Sequence, residues 1–361
     1  MSTEPRKDGT GEAGRLIRSL PKELWPLADR TAWEEACRPG MRLTRGGAAS
    51  HLRAVTQNDL AKRYGYFLDF VSRSRRLEPE AKAGAHVTLE NVEQYVVELK
   101  KRVSSVTVYG SIQKLRRVTQ LIAPEQEVAW LMEIERESFS EMRPRSKWDR
   151  VVLTEVIVEV GLTLIAEAEL PVKLPKLTRA RLVRNGLMLV LLAQYPIRLK
   201  NFAALELGRS IVKIGETWWI LLTAAETKEK RADERPIEDE IGEALDKYLK
   251  VYRPILCRGT ANTNALWLGI DGTAMAEYSI REMITETTRS VLDVAISPHL
   301  FRTAATTTAA VHAGEKPHLG SAILHHSHPT VTLENYNRAS SISAGRAYRE
   351  VTCRFRNRKL R

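Results

Sequence analysis

Four stretches in the C-terminal part of the sequence carry side chains suited to chemistry on a phosphodiester. QYPIRLKNFAALELG contains Arg198, AAETKEKRADERPI contains Lys228 with Lys230 close by, and SPHLFRTAATT contains His299 and Arg302 three residues apart. ILHHSHPTVTLENYNRA contains His325, His326 and His328, and Tyr336 follows His326 by ten residues. A phosphodiester resists attack because its charge repels nucleophiles and its alkoxide leaves poorly. Guanidinium groups offer a permanent charge shaped for two phosphate oxygens. An ammonium or an imidazole can move a proton at the leaving oxygen, and a phenolic oxygen can act as nucleophile once its proton is removed.

Each stretch also has a plainer reading: a surface arginine at a helix start, a solvated hairpin tip, a structural histidine, a core-facing tyrosine three residues after Leu333. The three histidines could hold a metal, but adjacent ring nitrogens diverge and Glu334 fits no familiar ligand spacing. What changes the balance is their order along one basic region: Arg, Lys, His-x-x-Arg, His, Tyr.

In that order the chain resembles the tyrosine recombinase (phage integrase) family over roughly residues 150 to 340. Arg198 matches the family's first catalytic arginine, His299 and Arg302 its His-x-x-Arg, and Lys228 its hairpin lysine. Leu324-His325-His326 is similar to the family's Leu-Gly-His, making His326 the equivalent histidine, and Tyr336 falls at the nucleophile. Three departures accompany the match. A histidine, His325, stands where glycine is usual; the interval from His326 to Tyr336 is one residue longer than the commonest spacing; and Asn201 replaces an acidic residue. His328 remains a rival for the histidine role, and Lys230 for the lysine role.

The resemblance implies a site-specific recombinase or integrase that joins DNA strands through a 3′-phosphotyrosine, for a mobile genetic element. It implies double-stranded DNA with specific sites as partner, a homotetramer on synapsed DNA, and neither metal nor other cofactor. The implied fold is mainly α: a helical core-binding domain plus an α+β catalytic domain with a small antiparallel sheet, closing as a C-shaped clamp on DNA. A type IB topoisomerase uses similar chemistry to relax DNA, and a catalytically inactive DNA-binding regulator could keep the same fold. Both stand as alternatives.

The elements that must position these residues are legible in outline. A polar stretch, residues 1–15, is expected to be disordered. Residues 16–140 read as a helical domain with a basic side. Leu60, Tyr64, Phe67, Leu68 and Val71 recur at helical spacing, Thr88 is placed to cap LENVEQYVVELKKR, and Lys114, Arg116 and Arg117 accompany a third run. Residues 141–150, in a stretch with Pro144 and several basic residues, read as a linker. Residues 151–340 form the expected catalytic domain. RLVRNGLMLVLLAQY is its central helix, and GETWWILLTAAETKEKRADERPIED is a hairpin with Thr227 to Asp233 at or near its tip. After the hairpin the pattern predicts helix to the end. Residues 341–361 form a basic tail suited to docking on an acidic neighbour or on nucleic acid.

Composition agrees with a polyanion partner. The 361-residue chain carries a formal charge of +12 and is 43% hydrophobic, with an isoelectric point near 9.6. That is a folded protein with a basic surface. No P-loop or dinucleotide fingerprint is present. Three cysteines, Cys37, Cys257 and Cys353, are too few and too scattered for a zinc ribbon or a disulfide framework. With no spanning apolar run and no signal-peptide core, a soluble cytoplasmic protein with no membrane partner is expected.

Overall fold

The computed structural model describes residues 18–42, 44–144, 150–171, 174–257, 263–312 and 319–324. His325, His326, His328 and Tyr336, as well as the stretches 1–15 and 341–361, lie outside them. The chain divides into two compact units, Met1–Ser146 and Lys147–Arg361.

The first unit is helical: α1 (Leu27–Cys37), α2 (Ala54–Arg73), α3 (Leu89–Arg102), α4 (Ser105–Ile122) and α5 (Ala129–Ser140). The apolar stripe of α2 is its core face, and Leu60, Tyr64, Phe67, Leu68 and Val71 are all buried. Thr88 caps α3 by accepting a hydrogen bond from the Asn91 N–H at 3.3 Å, and Ser104 caps α4 in the same way from Thr107 at 3.4 Å. Aromatic rings run through this core, with Trp25 edge-on to Tyr64 at 5.0 Å and Phe67 edge-on to Tyr95 at 5.5 Å. Buried Asp29 ties the connection before α3 to α1 and α2: its two carboxylate oxygens accept from the Gly84 N–H at 2.7 Å and from the Tyr64 hydroxyl at 2.9 Å.

The second unit is built around α7 (Lys176–Gln194), whose residues 186–193 are all buried. It packs on α6 (Thr154–Glu167) through two glycines, and an ideal Cβ on Gly161 would stand 2.7 Å from the Gly186 carbonyl oxygen. Only bare backbone fits that crossing. Arg184, buried on the same helix, gives its Nη1 proton to the Leu268 carbonyl at 2.7 Å, and burial holds its pKa below the usual value. Tyr195, the residue after α7, leads through Pro196 to a short helix α8 (Leu199–Ala203), with Arg198 at its N-cap.

Three antiparallel strands follow in the order β1 (Ile211–Ile214), β2 (Thr217–Leu222) and β3 (Asp233–Ile237). Gly215, at φ 61°, makes the tight turn between β1 and β2. In the second hairpin Trp218 faces Ile237, Ile220 faces Arg235 and Leu222 faces Asp233. The strand period of two therefore puts Asp233, Arg235 and Ile237 on one face of β3. The turn from Thr223 to Ala232 holds the expected tip apart from Asp233, which opens β3 and pairs with Leu222.

Helices resume with α9 (Asp239–Lys247), a π-helical turn at Tyr248–Tyr252 and α10 (Arg253–Cys257). Pro254 lacks the N–H that a regular helix would present to the Lys250 carbonyl, and the widened turn lies immediately before it. Residues 263–276 are not helical, contrary to the expectation of helix to the end. Ala265 bridges Glu206, Leu268 bridges Ala274, and Trp267 is buried with its indole N–H on the Phe202 carbonyl at 3.0 Å. Tertiary pairing has overridden local propensity there. Then come α11 (Glu277–Leu292), α12 (Pro298–His312) and α13 (Leu319–Leu324). The expected class, mainly α with a helical first part and a small antiparallel sheet in the second, is the one observed.

Candidate active site

Arg198 reaches the site because Pro196 cannot continue α7 and the next helix begins at Leu199. Its guanidinium is partly exposed, and its Nη2 donates to Glu229 Oε1 at 2.9 Å. Glu229 sits in the turn between β2 and β3, with Lys228 and Lys230 exposed on either side. The neck of that turn is closed by buried Thr227. Its hydroxyl donates to the Arg231 carbonyl at 2.7 Å and accepts from the Arg231 N–H at 3.0 Å. Lys230, at φ 54°, supplies the left-handed residue that brings the chain back.

Arg302 enters from α12. Its Nη1 donates to the Pro196 carbonyl and its Nη2 to the Leu324 carbonyl at 3.0 Å. One side chain thus joins the segment before α8 to the last residue of α13. Neutral carbonyls fix its direction, and they do not cancel its charge. Burial, reinforced by the neighbouring charges of Arg198 and Arg235 and opposed by Asp233 and Glu229, pushes its pKa down to about 10. At neutral pH it is still cationic, in surroundings that favour the arrival of an anion.

Arg235 completes the cluster. Its Nε and Nη2 grip both oxygens of Asp233 at 2.7 and 2.8 Å, and Nη2 also donates to the Ile323 carbonyl at 2.9 Å. Arg198, Arg231, Arg235 and Arg302 line one cleft together with Asn201, Glu229 and Asp233. Among the described residues that line this cleft, four are arginines and two carry carboxylates, an excess of positive charge that favours an anion.

Of the residues singled out in the sequence, Arg198 and Arg302 come together in this cleft. Lys228 is exposed on the adjoining turn, and His299 is exposed one helical turn before Arg302 on α12. His326 and Tyr336 fall outside the described residues; the chain enters that segment from Leu324, whose carbonyl Arg302 holds. Sequence reasoning missed Glu229, Asp233 and Arg235. The signal was available for the last two, since alternation back from Ile237 puts both on the inward face of β3. Among the described residues no cluster of His, Cys, Asp and Glu could hold a metal ion, and no helix is long and apolar enough to cross a membrane.

No protein-family model matches the chain, and no curated protein matches it. Solved structures do. The XerH site-specific recombinase bound to difH substrate, a pre-cleavage complex, superposes with a TM-score of 0.54 at 13% identity, covering 80% of this chain and 79% of that one. The XerH post-cleavage complex with palindromic difH gives 0.55 at 12% identity, covering 81% and 79%. The XerA recombinase gives 0.39 at 17% identity, covering 83% and 94%. With helices and a three-stranded sheet set around the arginine cluster, and with most of its length superposing on XerH, the chain has the tyrosine-recombinase fold.

Proposed function

We propose that the protein is a site-specific DNA strand transferase, working through a 3′-phosphotyrosine on Tyr336. The observation that carries this reading is the meeting of Arg198 and Arg302 in one cleft with surplus positive charge, on a fold shared with DNA-bound recombinases. Arg198 and Arg302 would hold the non-bridging oxygens, whose charge is greatest in the pentacoordinate transition state. Tyr336 Oη would attack phosphorus, with His299 as general base or its orienter. His326 would donate to a phosphate oxygen, and Lys228 would protonate the departing 5′ oxygen. One P–O bond forms as another breaks, so the 5′ hydroxyl of a second strand can reverse the step without an energy source.

In this reading residues 16–140 bind the core of the DNA site and residues 151–340 cut and rejoin it. Residues 141–150 link the two, and the basic tail 341–361 docks on a neighbouring copy in a tetramer on synapsed DNA. Integration or excision of a mobile element is the outcome we favour. The test is a nicked duplex carrying the inverted half-sites flanking the encoding gene. Wild-type protein should form a denaturant-resistant adduct on it and exchange strands between two sites. Relaxation of supercoiled plasmid lacking the sites would favour the topoisomerase alternative. Binding without an adduct would favour a DNA-binding regulator.

A further inference from the structure

We infer that Glu229 is a built-in occupant of the phosphate seat on Arg198, a carboxylate that substrate must displace. The inference rests on the proposed role of Arg198 and adds a residue to the site that opposes premature anion binding.

Three observations support it. First, Glu229 lies on the partly exposed guanidinium by a single hydrogen bond of 2.9 Å, whereas Asp233 holds Arg235 through both oxygens. A phosphodiester offers two non-bridging oxygens to the same fork, so it can outcompete a one-point contact. Second, two of the other arginines are held in different ways: Arg302 by two carbonyls and Arg235 by Asp233 and a carbonyl. Arg198 is the cluster's arginine whose ion pair reaches out to a turn. Third, that turn is closed at its neck by Thr227 and Arg231, so Lys228, Glu229 and Lys230 form a short loop beyond a fixed base. The carboxylate can leave Arg198 through movement of three residues, with the strands undisturbed.

The chemical consequence is selectivity. A lone phosphate passing over the surface meets a compensated arginine, while a duplex anchored elsewhere on the protein presents its phosphate at high local concentration and exchanges with Glu229. The ion pair is partly solvated, so its removal should tighten binding by only about fivefold.

A double-mutant cycle with an intact, random-sequence 30-base-pair duplex at fixed salt tests this by fluorescence anisotropy. Glu229→Gln keeps the side chain's shape and removes its charge, and should bind about fivefold more tightly than wild type. In an Arg198→Ala background the gain should shrink to at most the small part that comes from the pull of Glu229 on Arg302. Melting curves for each variant verify folding. Unchanged or weaker binding by Glu229→Gln would overturn the inference, as would an undiminished gain without Arg198, because the gain would then be a general charge effect. The intact duplex reads binding alone. Loss of the cycle with a normal tyrosyl adduct therefore removes only the Glu229 role, whereas a normal cycle with no adduct removes the strand-transfer reading.

Discussion

Arg302 on α12 donates to the carbonyl of Leu324, at 3.0 Å, the residue with which α13 ends. The same side chain reaches the Pro196 carbonyl, two residues before Arg198 in the chain. Arg302 is therefore both a charge in the cleft and the clip between its walls. Arg302→Ala should lower adduct formation by about 10²–10³-fold, the scale for one lost transition-state donor, with a far smaller change in DNA binding. Equal losses of both would mark a structural arginine. Because burial and the neighbouring arginines disfavour its cationic form, sulfate should stabilise the wild type. At about ten times its Kd the melting temperature should rise by roughly 2–4 °C over chloride at matched ionic strength, and this rise should shrink in Arg302→Ala.

Asp233 is the brace of Arg235. Asp233→Asn removes one of two charge-assisted bonds and should cost about 1.5–3 kcal/mol of stability. It should also slow adduct formation, because Arg235 holds the carbonyl of Ile323, next to the Leu324 that lines the cleft. Chemical denaturation and single-turnover cleavage measure the two effects. A variant with unchanged stability would show that the pair contributes nothing.

Alanine normally improves on glycine within a helix by about 1 kcal/mol. At Gly161 the opposite is expected, since the new Cβ would lie 2.6 Å from Val190 Cγ2 and 2.7 Å from the Gly186 carbonyl oxygen. Forcing α6 from α7 should cost about 1–3 kcal/mol, read as a lower denaturant midpoint.

The first unit should lose stability in mild acid. Buried His86 accepts the Glu78 N–H on Nε2 at 2.9 Å, which requires a neutral nitrogen there. Burial lowers its pKa, against the opposing pull of Asp29 and Glu78. A depressed folded pKa means that the unfolded chain takes up the proton first. The contribution is thus complete above the ordinary histidine value of 6.5 and fades as pH falls through the lower, folded value. Melting temperatures between pH 7.5 and 5 should drop for the wild type, and the slope should flatten in His86→Asn.

How far the site could be read from sequence depended on whether a residue's role was local. Arg198 after Pro196, Thr88 before its helix, and the stripe from Leu60 to Val71 all follow from spacing and backbone chemistry within a few positions. The hairpin was legible for the same reason. Glu229 was not, because its meaning comes from an arginine 31 residues away. Nor was the irregular path around Trp267, which is set by bridges to Glu206 and by a hydrogen bond to Phe202. Arg235 lay between: strand alternation gives its face, but its carbonyl partner, Ile323, is 88 residues away.

Under the proposed function, Tyr336 becomes covalently joined to DNA. The direct measurement is adduct yield on a nicked duplex that the protein is first shown to bind, comparing wild type with Tyr336→Phe. The wild type should give a denaturant-resistant protein–DNA species attached through the 3′ phosphate, and the phenylalanine variant none, at nearly unchanged binding. An adduct of equal yield from Tyr336→Phe would rule Tyr336 out as the nucleophile.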